Sequence, residues 1–280
     1  ILVEGVHFLS TDSPASVAWK LLAVNLSDLA SMGAKPGSYT LGVAFPKEID
    51  VDWIKHFAAG LGKVQDIFNI TLVGGDTVMT GGPITLSLTA FGYVPKNRML
   101  RRNGAAVGDI IYVSGTIGGA YLGLQQRLGK LRGLSEVTQK FFISRYQRPI
   151  PRIELGIKLI DIATAATDIS DGLAADLANL CRESRVSTSL LARSIPLDKA
   201  VRHLVSDEQV TMANILSGGD DYELLFTAPK SEALKIQKIA SQIKIQVSAI
   251  GEIEKGPGKV VFIGDDGKAI KFESTGYKHF

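Results

Sequence analysis

The chain has 280 residues, 45% of them apolar, with 31 basic and 28 acidic side chains and a net charge of +3. That is enough to bury a core and divide into two domains, and charge so near balance excludes a general nucleic-acid-binding surface. A single cysteine, Cys181, excludes an internal disulfide and a cysteine-built zinc site and suits a reducing, cytoplasmic setting; no apolar run reaches the roughly 18 residues of a membrane span.

The sequence opens without methionine on Ile1-Leu2-Val3, a strand-like run, so an N-terminal piece is expected to precede it. Ser13-Pro14 reads as an N-cap with proline at the first helical position. Val17, Leu21, Val24, Leu29 and Met32 then recur near helical spacing, and Gly33 with Pro36 stops the helix. A strand is expected over 39–45 and a second amphipathic helix over 52–68, with Trp53, Phe57, Leu61, Val64 and Phe68 on one face. A short buried strand over 70–73 is expected to end at Gly74-Gly75, and a longer strand to cover 84–94. The polar stretch 101–109 reads as a domain boundary. Beyond it come a strand over 110–114 and helices over 120–128, 136–146 and 152–162, interrupted by Arg148-Pro149-Ile150-Pro151-Arg152. A strand over 164–167 leads to Asp168, and a helix covers 173–182. Strand and helix then alternate over 224–227, 232–243, 244–253, 259–263 and 269–272. The pattern is that of a mixed α/β protein.

Four acidic segments carry the chemistry. Asn25-Leu26-Ser27-Asp28 places Asn25 and Asp28 on one helix face, with Asp28 near the C-terminal end, where the macrodipole disfavours an anion. Gly74-Gly75-Asp76-Thr77 offers backbone that a phosphate can approach, or else an ordinary turn. Asp168-Ile169-Ser170-Asp171-Gly172 stands at a strand-to-helix junction, a natural phosphate site; Ser170 as a helix cap and Asp171 in the first turn would explain part of it, but not Asp168. Asp220-Asp221-Tyr222-Glu223 packs three carboxylates into four residues, which calls for a cation or a donor-rich ligand, or else a solvated turn. Gathered carboxylates suit Mg²⁺, which takes oxygen ligands and is shared with substrate phosphates. Arg102 is suited to bidentate phosphate contact, or is simply part of a basic turn. The run from Gly123 to Lys130 is not a phosphate-binding loop, because the spacing is wrong and it sits in a helical pattern. The four histidines are too scattered to form a metal set.

Together the segments Glu4-Gly5-Val6-His7-Phe8, Ala23 to Ala30 with Met32-Gly33-Ala34, Gly74 to Thr77, Arg148-Pro149 with Pro151-Arg152, Asp168 to Leu173, Ser217-Gly218-Gly219 with Asp221 to Leu224, and Gly276-Tyr277 with His279-Phe280 resemble the thiamine-monophosphate kinases. These belong to the superfamily that includes aminoimidazole ribonucleotide synthetase. The resemblance implies a two-domain synthetase-like fold, with an N-terminal domain over 1–100 and a C-terminal domain over 104–280. It implies ATP-dependent, Mg²⁺-assisted phosphorylation of thiamine monophosphate to thiamine diphosphate by direct transfer, in a cytoplasmic homodimer. It assigns Asp28, Asp76, Asp168 and Asp171 to Mg²⁺, with Asp171 at the reacting centre, and Gly75, Asp76, Arg102 and Ser170 to the nucleotide. His7, Asp220 and Tyr277 fall on the thiamine side. Two further Mg²⁺-binding segments of the family fall before Ile1, and Asp220 stands where the family often has the longer Glu. Another ATP-using enzyme of the superfamily, or a catalytically incomplete nucleotide-binding protein, is the alternative.

Overall fold

The structure is a computed structural model and describes residues 1–276. Helix α1 (Pro14–Ser31) begins where expected: the Ser13 hydroxyl accepts the Ser16 N–H at 3.2 Å, and Pro14 occupies the first turn. Helix α2 (Val51–Phe68) is capped by Asp50 and closed by Asn69 in the left-handed region, φ 49°. Both helices cover one face of a sheet made of β1 (Leu2–Val3), β2 (Lys35–Pro46), β3 (Thr71–Thr80) and β4 (Thr85–Tyr93), in the order β1-β4-β2-β3. Leu21, Leu22 and Leu26 of α1 meet Tyr39 of β2 and Leu86 of β4 in a buried core. Trp53 stacks on Phe57 at 5.3 Å and meets Phe45 edge-on at 6.0 Å.

β3 corrects the expected short buried strand. It runs ten residues through both glycines and is exposed along nearly its whole length, because it is a sheet edge with no layer over it. Its register against β2 slips between Tyr39–Leu72 and Thr40–Gly74, leaving Val73 as a bulge. A Cβ on Gly75 would collide with the Leu41 carbonyl, so the second glycine permits close strand approach and does not end the strand.

The rest of the chain builds two more sheets from β5 (Ile110–Ser114), β6 (Ala165–Asp168), β7 (Val186–Leu191), β8 (Leu224–Ala228), β9 (Val247–Glu252), β10 (Glu254–Lys255) and β11 (Val260–Ile263). One runs β6-β8-β5-β9, antiparallel throughout; the other runs β10-β7-β11. Around them pack α3 (Gly119–Arg127), α4 (Glu136–Gln147), α5 (Ile153–Lys158), α6 (Leu173–Ser184), α7 (Lys199–Ser206), α8 (Met212–Ser217) and α9 (Ala233–Ile243). A second core forms here around Ile111, Leu122, Phe142, Leu177 and Phe262. A third cluster joins Ala30 of α1 to Leu155, Leu159 and Phe226. α1 and α5 cross there with backbones touching, since a Cβ on Gly156 would strike the Ala30 carbonyl.

Three further departures from the sequence pattern have local causes. β7 gave no period-2 signal because Ser187 and Thr188 are buried with their hydroxyls bonded to backbone: Thr188 donates to the Glu252 carbonyl at 2.8 Å, and Ser187 accepts the Lys259 N–H at 2.9 Å. α5 is shorter than 152–162 and gives way to turns that carry Asp161 at φ 64°. The strand expected over 269–272 is reduced to a single bridge between Ile263 and Ala269. Among the described residues no helix is long and apolar enough to cross a membrane.

Candidate active site

A cavity of about 410 Å³ opens between α1, α3 and the ends of β6 and α8. It brings together six of the residues singled out from the sequence: His7, Asp28, Asp168, Ser170, Asp171 and Asp220, with Asn25 beside Asp28 on α1. Each arrives on a different kind of support. β6 ends at Asp168, and the chain turns through Ser170 and Asp171 into α6. The turn is tight: Gly172 has φ 121°, and a Cβ there would come within 2.7 Å of the Ser217 carbonyl.

Ser170 does not cap α6, contrary to one reading of the sequence. The cap position is Gly172, without a side-chain bond. Asp176, in the first turn of α6, reaches back instead, and one of its oxygens accepts the N–H groups of Ser170 and Asp171, both at 3.0 Å. This holds the loop backbone so that both side chains reach the cavity. Asp176 was missed in the sequence; its only signal was a carboxylate in the first turn after an acidic junction.

The electrostatics are those of crowded carboxylates short of water. Burial, and then the neighbouring charge of Asp28, push the Asp168 carboxyl up to about 7, against the pull of Arg102. Asp28 stays open to the cavity, yet the surrounding walls raise its carboxyl too, and Arg102 again opposes the rise. Asp176 is carried up to about 7 by burial, reinforced by Asp168 and Asp171. Arg102 itself is exposed and outside the cavity lining, but its charge reaches both carboxylates.

The Asp220–Glu223 group is not a solvated turn, nor does it await an external cation. Each carboxylate finds donors within the protein. Asp220 takes the Lys20 ammonium at 2.8 Å. Asp221 accepts the N–H groups of Gly118 and Ala120, at 2.7 and 3.2 Å, where α3 begins. Glu223, fully buried, is gripped by the Ser114 hydroxyl at 2.6 Å and by Arg145 and Arg152. Lys20 too escaped the sequence reading. Its signal was one cation on the apolar side of α1, between Val17 and Leu21.

Gly75 and Asp76 do not line the cavity; both lie on the exposed edge strand β3. Tyr277 lies outside the described residues. Among the described residues no three carboxylate, imidazole or thiol groups converge into a ready-made metal cage. The donor set nevertheless fits one kind of ion: oxygen-only, mutually repelling, desolvated carboxylates at Asp28 and Asp168, with room beside them. Mg²⁺ is held this way, by one or two carboxylates together with waters and phosphate oxygens.

A two-lobed α/β chain with this acidic cavity falls in the class of AIR synthase related proteins: the N-terminal domain model of that family matches residues 1–94 and the C-terminal domain model residues 106–264. The chain is 39% identical to the thiamine-monophosphate kinase of Salmonella typhimurium over 100% of its own length and 84% of that protein. Its fold is similar to the crystal structure of thiamine-monophosphate kinase from Stenotrophomonas maltophilia K279a, with a TM-score of 0.86 at 39% identity over 96% of this chain and 84% of the other. It is equally similar, at 32% identity over 100% of this chain and 85% of the other, to AaThiL complexed with AMPPCP and TMP. The chain belongs to the thiamine-monophosphate kinase family.

Proposed function

We propose that the cavity is where this chain transfers the terminal phosphoryl group of ATP to the phosphate of thiamine monophosphate, giving thiamine diphosphate and ADP. The observation that carries this is the convergence of Asp28, Asp168, Ser170 and Asp171 on one cavity, in a chain that matches thiamine-monophosphate kinases along its full length. A relative of the same fold holds an ATP analogue and TMP together. In the reaction an oxygen of the acceptor phosphate bonds to the γ-phosphorus while the bond to the bridging oxygen breaks, and ADP leaves with the electron pair. Such a transfer needs positioning and charge neutralisation more than a covalent catalyst.

In this reading Asp28, Asp168 and Asp171 would hold Mg²⁺, and Asp76, outside the cavity on the exposed edge strand β3, would contribute from there. The ion would neutralise charge on the transferring phosphate. Ser170, with Gly75 and Arg102, meets the nucleotide, and Asp176 keeps Ser170 and Asp171 turned toward it. His7, Asp220 and Tyr277 serve the thiamine side. Separate cores around Leu22 and Leu177 support a division into two domains at the 101–109 connector. The bare outer face of the first sheet supports a homodimer, and a lone buried thiol suits the cytoplasm.

The test is chromatographic detection of thiamine diphosphate formed from ATP, Mg²⁺ and thiamine monophosphate by the full-length protein and by its Asp171→Asn variant. The variant is expected to lose roughly 100-fold or more in kcat with its fold intact. Undiminished turnover would remove Asp171 from the reacting centre, and no product from either protein would send the search to other acceptors.

A further inference from the structure

Lys20 is a buried cation that none of the assigned roles uses. Its side chain is 3% exposed, so it cannot meet a substrate directly. Its ammonium makes three contacts with three separate parts of the chain. It donates to the His7 carbonyl at 2.9 Å and to Asp220 Oδ2 at 2.8 Å, and it sits 3.9 Å over the Tyr146 ring. Asp220 needs such an anchor. Its backbone is in the left-handed region at φ 71°, tied by its N–H to the Ser170 carbonyl at 2.9 Å, and its other carboxylate oxygen accepts the Tyr222 hydroxyl at 3.1 Å.

The geometry points to Lys20 as the positioning residue of the acceptor side: from α1 it fixes the Asp220 carboxylate and the His7 loop relative to each other, and so sets the affinity for thiamine monophosphate without touching it. This rests on the placement of His7 and Asp220 on the thiamine side. It extends that placement to a residue from the opposite lobe, and it assigns Lys20 no part in ATP binding. A charge-assisted bond held in a dry setting is strong and directional, so removing the cation frees both anchored groups at once.

Steady-state kinetics with each substrate varied in turn, on the wild type, Lys20→Met, Asp220→Asn and the double variant, test this. Lys20→Met is expected to raise KM for thiamine monophosphate about tenfold or more, the loss of one charge-assisted bond, while KM for ATP stays within about twofold. The double variant is expected to raise KM by clearly less than the product of the two single effects, because part of what Lys20 does passes through that carboxylate while the rest passes through the His7 carbonyl. Removing both partners is also far less disruptive than removing one, so if the single lysine variant does not fold, the double variant still shows which substrate's KM moves. If Asp220→Asn raises KM for thiamine monophosphate but Lys20→Met does not, the role of Lys20 is overturned and the site assignment survives. If neither variant moves it, both fall. Equal rises in KM for both substrates, or single effects that multiply in full in the double variant, would make Lys20 a general structural residue and end the proposal.

Discussion

At Asp168 burial holds a carboxyl at a cost in stability. The carboxyl is 4% exposed and sits at about 7, far above its unfolded value of 3.8. Between those values the folded state keeps a proton that the unfolded state has released, so stability falls as pH rises from about 4 toward 7 and levels off above. Asp176 and Asp221, each also raised to about 7 by burial, add to the same slope. Asp168→Asn removes one of the three contributions. In metal-free protein it is expected to raise unfolding free energy at pH 7.5 by about 1–3 kcal/mol and leave it little changed near pH 4.5, while abolishing transfer. Urea unfolding at the two pH values decides it; a variant less stable at pH 7.5 would contradict the argument. The acidic junction 168–172 was legible because glycine, serine and aspartate crowd a strand end. Asp176 was not, because a first-turn carboxylate looks the same whether it faces water or bonds a loop.

Among the elements, α4 and the proline-broken stretch before α5 are tied together at Glu223, the residue that leads into β8, through one arginine from each. Proline stops a helix at 149 and 151, and the bend delivers Arg152 beside Arg145 of α4. Glu223→Ala would leave both guanidinium groups, 16% and 13% exposed, without their partner. It is expected to cost about 3–5 kcal/mol in unfolding free energy, measured by chemical denaturation; a loss under about 0.5 kcal/mol would mean the arginines find other acceptors. Elements with a clean period were readable in advance. α1 announces both its start, at Ser13-Pro14, and its stop, at Gly33, and α2 shows its aromatic stripe. β7 was hidden because it buries hydroxyls, whereas β3 was read only in part, as a buried strand over 70–73, because the period does not show that its apolar side chains are exposed or that it continues past the glycines.

On the scale of the whole molecule, the first sheet is covered on one side only. Val73 is 62% exposed, Met79 72% and Tyr93 71%, with Phe91 and Val78 about half exposed. On the bare side Val78 of β3 and Phe91 of β4 flank β2, whose residues there, Ser38, Thr40, Gly42 and Ala44, are small, while Met79 pairs with Phe45 and faces the other way. Such a face is expected to pair with a second copy. Phe91→Asp should halve the dimer mass expected by analytical ultracentrifugation at micromolar concentration; an unchanged dimer mass would place the interface elsewhere, and a wild type of monomer mass would end the expectation of a pair. This face was invisible in the sequence, where 70–73 read as core.

The crossing of α1 and α5 makes the first helix a rivet between the lobes. Trp19 also bonds the Pro149 carbonyl at 2.7 Å, and Arg127 pairs with Asp12 at 3.1 Å, on the same seam. The covalent connector therefore has little to hold. A single tryptic cut after the exposed Lys96 should yield two fragments that still elute together in native size exclusion and separate only in denaturant, and the nicked protein should keep its turnover. Asp28 and Asp168 come from opposite sides of that cut, so the acidic cavity is assembled by contact between the lobes, and on the proposed reading the transfer needs no unbroken chain.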